Sequence, residues 1–420
     1  MCQPVVAYLI SALAGRKQML CSVALKTLQG KIIYDKLKKI HFPKRAGIKQ
    51  EVFSLIKKIG KLLLVIVLLF AAAVAGYVIY MQVQYYRIAD FTEIETQNPR
   101  QEQVKTETAY RIMTYNIGFG AYSSDYSFFM DTGEMKDGTK TVGEHARALS
   151  ASEEVDNTMG SLKIIKKQDA DFLFVQEADE KATRSYQVNQ RQILEEELKG
   201  YASVFAKNFH SAYLFYPFLE PHGSVEAGML TFSRYRISEN IRRQFPVSNA
   251  FITKFTDLDR CFLVSRLPVE GEKELVLIQI HLSAYDEGGK IRARQLALLN
   301  EVLKEEREKG NYVIAGGDFN HDIADSMDRF PSEQKTPEWV YQLGDEDLAE
   351  GFHFITAENA GEVPTCRGAD MPYEKGVTYT VIVDGFLVSD NVSASARNID
   401  EGFLYSDHNP VVMEFTLRKE

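Results

Sequence analysis

An α/β domain of mixed sheets behind one membrane-spanning helix is the fold class that this sequence predicts. Three observations predict it. From Tyr110 onward, apolar strand-like runs alternate with helix-like stretches, and several runs are spaced as hairpins; this favours α/β layers with mixed sheets over a purely parallel sheet. Short polar words close six of those runs. An uncharged apolar stretch, Leu62–Met81, precedes them all.

The apolar stretch comes first. About twenty apolar residues are what a helix needs to cross a bilayer. Lys57, Lys58 and Lys61 stand directly before it, and a polar-aromatic exit (Gln82, Gln84, Tyr85, Tyr86) follows it. A positive flank stays cytoplasmic, so the expected protein is a single-pass cell-membrane protein with its large domain outside the cytoplasm. Two other readings compete: a cleaved signal peptide, since Ala73-Val74-Ala75 imitates a cleavage site, and a buried core helix. The expected organisation is a basic cytoplasmic segment at 1–61, the transmembrane helix at 62–81, a polar tether at 88–108 and a catalytic domain at 109–420. Residues 1–50 read as a plain tail or as the product of a start codon placed too far upstream.

Charge sharpens the division. Of 49 Lys/Arg and 58 Asp/Glu, residues 1–61 hold 13 basic groups and only Asp35 and Glu51. The remainder is strongly acidic, which repels a long polyanion unless cations intervene. The only local basic cluster is Arg234, Arg236, Arg242 and Arg243. Four cysteines show no metal-ligand spacing; a Cys261–Cys366 disulfide is open but not required.

Strands are expected at 110–115, 171–176, 202–206, 228–233, 261–267, 274–281, 311–315, 377–388 and 410–416. Helices are expected at 154–167, 185–199, 289–308 and 336–349. The clearest is 289–308, where Ile291, Gln295, Leu298, Leu299 and Val302 carry a 3.6-residue rhythm and Gly310 ends it. The long loop from Gly118 to Val155 follows the first strand and has the length of a lid or rim.

The polar words carry the chemistry. Asp318 and Asn320, after the run Tyr312–Ala315, project to one side of extended backbone, where a carboxylate and an amide orient a water. A helix cap or Asx-turn is the plain alternative. Asn116 and Glu177 close two strands, and oxygen ligands at adjacent strand tips suit Mg²⁺. Asp384 lies among Val381, Ile382, Val383 and Phe386. Such a carboxylate needs a partner, and the imidazole of His408 is the natural one. His281 ends a further strand. From Phe205 to His222 the chain is dense in aromatics, which reads as a packed connection or as a rim touching lipid or stacking on a base.

These words resemble the endonuclease/exonuclease/phosphatase family, from about Tyr110 to the C-terminus. Gly-Asp-Phe-Asn at 317–320 combined with Ser-Asp-His at 406–408 is the specific part. The resemblance implies a four-layer α/β sandwich of two packed mixed sheets with outer helices. It implies Mg²⁺ (or Mn²⁺) on Asn116, Glu177 and Asp407. Asp318 would activate water with Asn320 beside it, His281 and His408 would stabilise the phosphate, and Asp384 would orient His408. It implies a metal-dependent phosphoric ester hydrolase. The membrane helix, the acidic domain and the few clustered Lys/Arg favour a phospholipid head group or small phosphoester as substrate, with nucleic acid as runner-up, and a monomer is expected. A catalytically silent binding module is the alternative of another class. One departure is Gly385, where family members often carry an aromatic residue after the buried Asp.

Overall fold

The structure is a computed structural model that describes residues 46–419 apart from 249, 252 and 285–289. The basic segment through residue 45, with Cys2 and Cys21, lies outside the described residues. The first element is the helix α1 (Ala46–Gln84), whose part Phe53–Gln84 is long and apolar enough to cross a membrane. It outruns the expected 62–81 because Lys57, Lys58 and Lys61 are themselves helical. From Tyr86 onward the chain forms a separate compact unit.

That unit runs β1 (Thr92–Glu93), β2 (Ala109–Asn116), β3 (Thr132–Glu134), β4 (Lys140–Val142), α2 (Ala151–Gln168), β5 (Phe172–Ala182), α3 (Gln190–Glu197), β6 (Ala202–Leu214) and β7 (Gly223–Ser233). Then come β8 (Glu239–Gln244), β9 (Cys261–Pro268), β10 (Glu274–His281), α4 (Lys290–Glu308), β11 (Tyr312–Asp318) and β12 (Phe352–Phe354). The chain closes with β13 (Cys366–Arg367), β14 (Thr380–Val381), β15 (Asp384–Ser389), β16 (Val392–Asn398) and β17 (Val411–Leu417).

Two mixed sheets result, ordered β16-β17-β2-β5-β7-β6 and β1-β8-β9-β10-β11-β15-β12. Each holds one parallel pair, β2/β5 and β10/β11. A helix makes each crossover, α2 in the first and α4 in the second. Period-two alternation on these strands fills three layers of core. Ile112, Phe172 and Phe174 meet Leu263, Leu277, Ile314 and Phe386 between the sheets. Met113, Leu173 and Val175 pack outward with Leu162 and Ile165 of α2 and Leu194 of α3. Val276, Ile278 and Val313 pack outward with Leu299, Val302 and Leu303 of α4. The layering is helix, sheet, sheet, helix, as expected.

Some expectations are corrected. Residues 336–349 are not a helix. Pro337 interrupts the pattern, and Tyr341 and Leu343 bond the backbone of Asp322 instead, leaving one 3-10 turn at Asp345–Asp347. The strand expected at 377–388 breaks at Ile382 and Val383, whose carbonyls accept from Ile323 and Phe319. The supposed tether is docked: Thr92 and Glu93 pair with β8, and Gln97 and Val104 bridge Ser203 and Val269. The loop after Asn116 has its own core of Phe119, Tyr122, Tyr126 and Phe128, plus the β3/β4 hairpin. Cys261 and Cys366 are buried free thiols, so no disulfide joins them.

Candidate active site

Sheet register assembles the site. Both parallel pairs end on the same side of their crossovers, and the carboxyl ends of parallel strands are where such sheets gather ligands. Asn116 pairs with Gln176 at one end, and His281 pairs with Asp318 at the other. Antiparallel β15 then sets Asp384 opposite Asp318. Between the sheets the core turns polar toward these tips. Thr231 donates to Gln279, whose amide reaches the Val175 carbonyl, and Gln176 bonds Thr114.

Backbone conformation aims the remaining groups. Glu177 sits in a bulge of β5, where the pairing to β7 shifts between Val175 and Ala178, with φ 55°. A bulge re-aims a side chain. Asn320 is also left-handed, at φ 49°. Such strain in non-glycine residues gathers at functional sites. Gly317, at φ 141°, lies where a Cβ would come within 2.1 Å of the Ile280 carbonyl oxygen. Only glycine lets β11 approach β10 so closely there. Ser406 ties the last word in place: its hydroxyl donates to the Asn116 carbonyl at 2.7 Å and accepts from the His408 amide.

The side chains converge. Asn116 Nδ2 lies 3.2 Å from Glu177 Oε1, 3.1 Å from Asp318 Oδ2 and 3.5 Å from His408 Nε2. His281 Nε2 stands 3.4 Å from Asp318 Oδ2 and 3.8 Å from Glu177 Oε1. His408 Nδ1 meets Asp384 Oδ2 at 2.7 Å, while Nε2 faces Asp318 at 3.8 Å. Asp407 Oδ1 lies 3.3 Å from the Ser406 hydroxyl. Asn320 donates its backbone amide to Asp318 Oδ1 and its side-chain amide to the Leu282 carbonyl. It thus combines the expected placement beside Asp318 with the cap-like bond of the plain reading.

Charge follows from burial. Burial pushes the Asp318 carboxyl up to about 6, against the opposing pull of His408. Burial also raises Asp407 and Asp384. For His408, burial opposes protonation, but Asp384 and its neighbouring acids override it and hold the ring well above the usual imidazole range. His281 is driven well below that range by burial, Arg260 and His408. One imidazolium and one neutral imidazole therefore flank a carboxylate able to titrate.

The donor chemistry suits a hard cation. Glu177 and Asp318 converge on one point, Asp407 lies alongside, and buried Asp384 Oδ1 has no hydrogen-bond partner. Oxygen-rich clusters of this kind fit a hard divalent cation better than softer metals. Asp318, Asp384 and His408 also bring one ligand atom each within 4.8 Å of one another. Asn116 turns its nitrogen toward the carboxylates, its oxygen accepting from Gly118.

Sequence reasoning missed several supports. The Thr365 hydroxyl accepts from the amides of Val383 and Asp384. Arg184 forms a buried pair with Asp179 and stacks on Phe119 at 3.7 Å. Arg260 is buried beside the site. None carries a spacing signal, because each acts through the folded loops. Gly385 borders a cavity of about 10 Å³, also lined by Asp384 and Asn398, about one water in size.

The same fold and site define a recognisable class. The sequence matches the Endonuclease/Exonuclease/phosphatase family over residues 113–408. The chain belongs to that family, whose members are generally metal-dependent hydrolases of phosphoester bonds. A comparison with curated proteins finds no match. Among solved structures, the chain is similar to truncated Caenorhabditis elegans TDP2 (14% identity, TM-score 0.46, covering 74% of this chain and 99% of that one). It is similar to an endonuclease/exonuclease/phosphatase from Beutenbergia cavernae (16%, 0.48, 74% and 72%). It is also similar to the human Nocturnin catalytic domain with bound sulfate (16%, 0.44, 77% and 97%).

Proposed function

We propose that this chain is a membrane-anchored, Mg²⁺-dependent phosphoester hydrolase in which water attacks phosphorus. The observation that carries the reading is Asp318. Its carboxylate is buried, raised to about 6, and set between neutral His281 and protonated His408. A carboxylate tuned toward neutrality is suited to take a proton from water. His408 then offers a charged N–H to a phosphoryl oxygen, with Asp384 fixing its tautomer and orientation. His281 offers a neutral N–H from the facing strand. A divalent cation held by Glu177 and Asp407, and by Asn116 once its amide turns to present oxygen in place of nitrogen, would supply positive charge against the leaving oxygen.

A phospholipid head group or small phosphoester is the favoured substrate. Phe215, Tyr216, Phe218 and Leu219 form an exposed apolar tip between β6 and β7. Such a tip suits a bilayer interface. The basic cluster that would favour nucleic acid is largely occupied: Arg234 pairs with Asp169, Arg242 with Asp259 and Arg243 with Asp90. Lys57, Lys58 and Lys61 beside the apolar helix favour a cytoplasmic N-terminus and an extracytoplasmic domain.

The test is a substrate panel with the full chain in detergent: sphingomyelin, phosphoinositides, plasmid DNA, RNA and bis(p-nitrophenyl) phosphate, with Mg²⁺ and then with chelator. Chelator-sensitive hydrolysis of lipid or small diester is expected. A nucleic-acid-only profile would move the substrate to the runner-up. Turnover unaffected by chelator would remove the metal mechanism, and metal binding without turnover would leave a binding module.

A further inference from the structure

Most buried guanidinium groups in this domain find hydrogen-bond partners. Arg184 holds Asp179, Arg242 holds Asp259 and three backbone carbonyls, and Arg367 donates to the carbonyls of Ser123, Tyr126, Gly368 and Met371. Arg367 keeps one unpartnered nitrogen, Nε, but Arg260 differs from all three in that its side chain forms no hydrogen bond or ion pair among the described residues. It is only 2% exposed, yet Nε and Nη1 are both buried with no hydrogen-bond partner. An unpaired buried cation is among the most costly features a fold can keep.

Its position is set by strand pairing. Phe262 lies opposite Ile280 in the β9/β10 register. Arg260 lies just before β9, as Leu282 lies just past β10, so it stands at the same end of the sheet as His281. The Phe245 amide bonds the Arg260 carbonyl at 2.9 Å and fixes the backbone there. The guanidinium is close enough to His281, Glu177 and Asp318 for its charge to act on each. Asp257 is the nearest competing acid by charge, but no ion pair joins it to Arg260 among the described residues.

We propose that Arg260 is an anion-binding residue of this site, its planar N–H groups receiving a non-bridging oxygen of the phosphoryl group. This rests on the phosphoester reading of the same site. Arginine is suited to the task because its fork matches phosphate oxygens and its charge does not titrate away. Burial strips water from the fork before substrate arrives, so the anion that enters satisfies donors already desolvated. On the other side of Asp318, His408 supplies the second cationic donor. A phosphate would then be gripped across the carboxylate that activates water, with no cation required for the grip itself.

The test is calorimetric titration of inorganic phosphate into the full chain in detergent, with chelator present, for wild type, Arg260→Met and Arg260→Lys. Phosphate binding weakened about ten- to hundredfold in Arg260→Met is expected. Arg260→Lys keeps charge without the fork and should fall between, with its KM for a soluble diester raised more than its kcat is lowered. If Arg260→Met fails to fold, the lysine variant decides. Wild-type phosphate affinity in the lysine and methionine variants, or no phosphate binding by the wild type, would overturn the proposal. Phosphate binding that needs Arg260, in a chain that hydrolyses nothing, would defeat the hydrolase reading and leave the anion site standing.

Discussion

His408 Nδ1 and Asp384 Oδ2 stand 2.7 Å apart at the edge where the two sheets meet. The contact sets the ring's charge: burial lowers the imidazole pKa, and Asp384 leads the acids that reverse the sign. Asp384→Asn removes that acid and leaves burial. His408 should then lose its proton near neutrality, moving the alkaline limb of the pH–rate profile to lower pH. Turnover at pH 8 should fall at least about a hundredfold, the scale of a lost electrostatic or acid–base group. Partial recovery toward pH 5 is expected. A variant with the wild-type profile would remove the dyad from the reaction.

Asp318 titrates in the opposite sense. Its carboxyl is raised from 3.8 to about 6 by burial, and the base must be ionised to accept a proton. Activity should therefore rise with pH through an acid limb. A nearby cation favours the ionised form, so raising Mg²⁺ should move that limb to lower pH. Asp318→Asn should abolish the limb and reduce kcat at least about a hundredfold. Profiles at two Mg²⁺ concentrations check both points, and a limb indifferent to Mg²⁺ would separate the cation from Asp318.

Much of this site was legible because its words end strands. Asn116, His281 and Asp318 end β2, β10 and β11, and strand pairing alone brings such ends together; Glu177 ends its apolar run but lies in mid-strand, because β5 continues through Ala182. The Asp384–His408 contact was legible from cost, since an acid among Val381, Ile382 and Val383 needs a partner. What escaped is what depends on irregular backbone. No periodicity announces the bulge at Glu177, the break after Val381 or the docking of residues 92–104 along β8. Arg260 escaped because its environment comes from strand pairing and loops far along the chain. The helix expected at 336–349 failed because its polar pattern was locally helical while Asp322 claimed its backbone.

Glu154 offers a test of the scaffold. It lies in the first turn of α2 with no exposure; Oε1 accepts from Thr158 and Oε2 has no partner. Burial raises its carboxyl from 4.5 to about 8. The folded state then holds a proton that the unfolded chain releases above about pH 4.5. The associated stability is complete below that pH and is lost as pH rises through about 8. Glu154→Gln should flatten this slope, with the variant gaining on the wild type by a few kcal/mol at most at pH 9. Thermal unfolding at pH 5, 7 and 9 measures it, and parallel slopes would show that Glu154 does not set the pH dependence.

The apolar tip separates chemistry from access. Phe218 is 82% exposed and Leu219 fully so, while Tyr216 is braced at 5.8 Å from Phe129. Phe218 and Leu219 are far from any catalytic group in sequence and make no strand pairing. Replacing both by Ser should leave kcat/KM on a water-soluble diester unchanged. Each side chain that enters a bilayer interface contributes on the order of 1.5–3 kcal/mol of transfer free energy at most. Loss of both should therefore cut vesicle binding by tenfold or more, on the order expected from that transfer. The compact unit beginning at Tyr86, freed of α1, is the right reagent, because the membrane helix would mask the effect. Co-sedimentation with phosphatidylcholine vesicles and hydrolysis of vesicle lipid are the paired readouts. Equal sedimentation of wild type and variant would make the tip a bystander and turn attention to the helix as the source of membrane proximity.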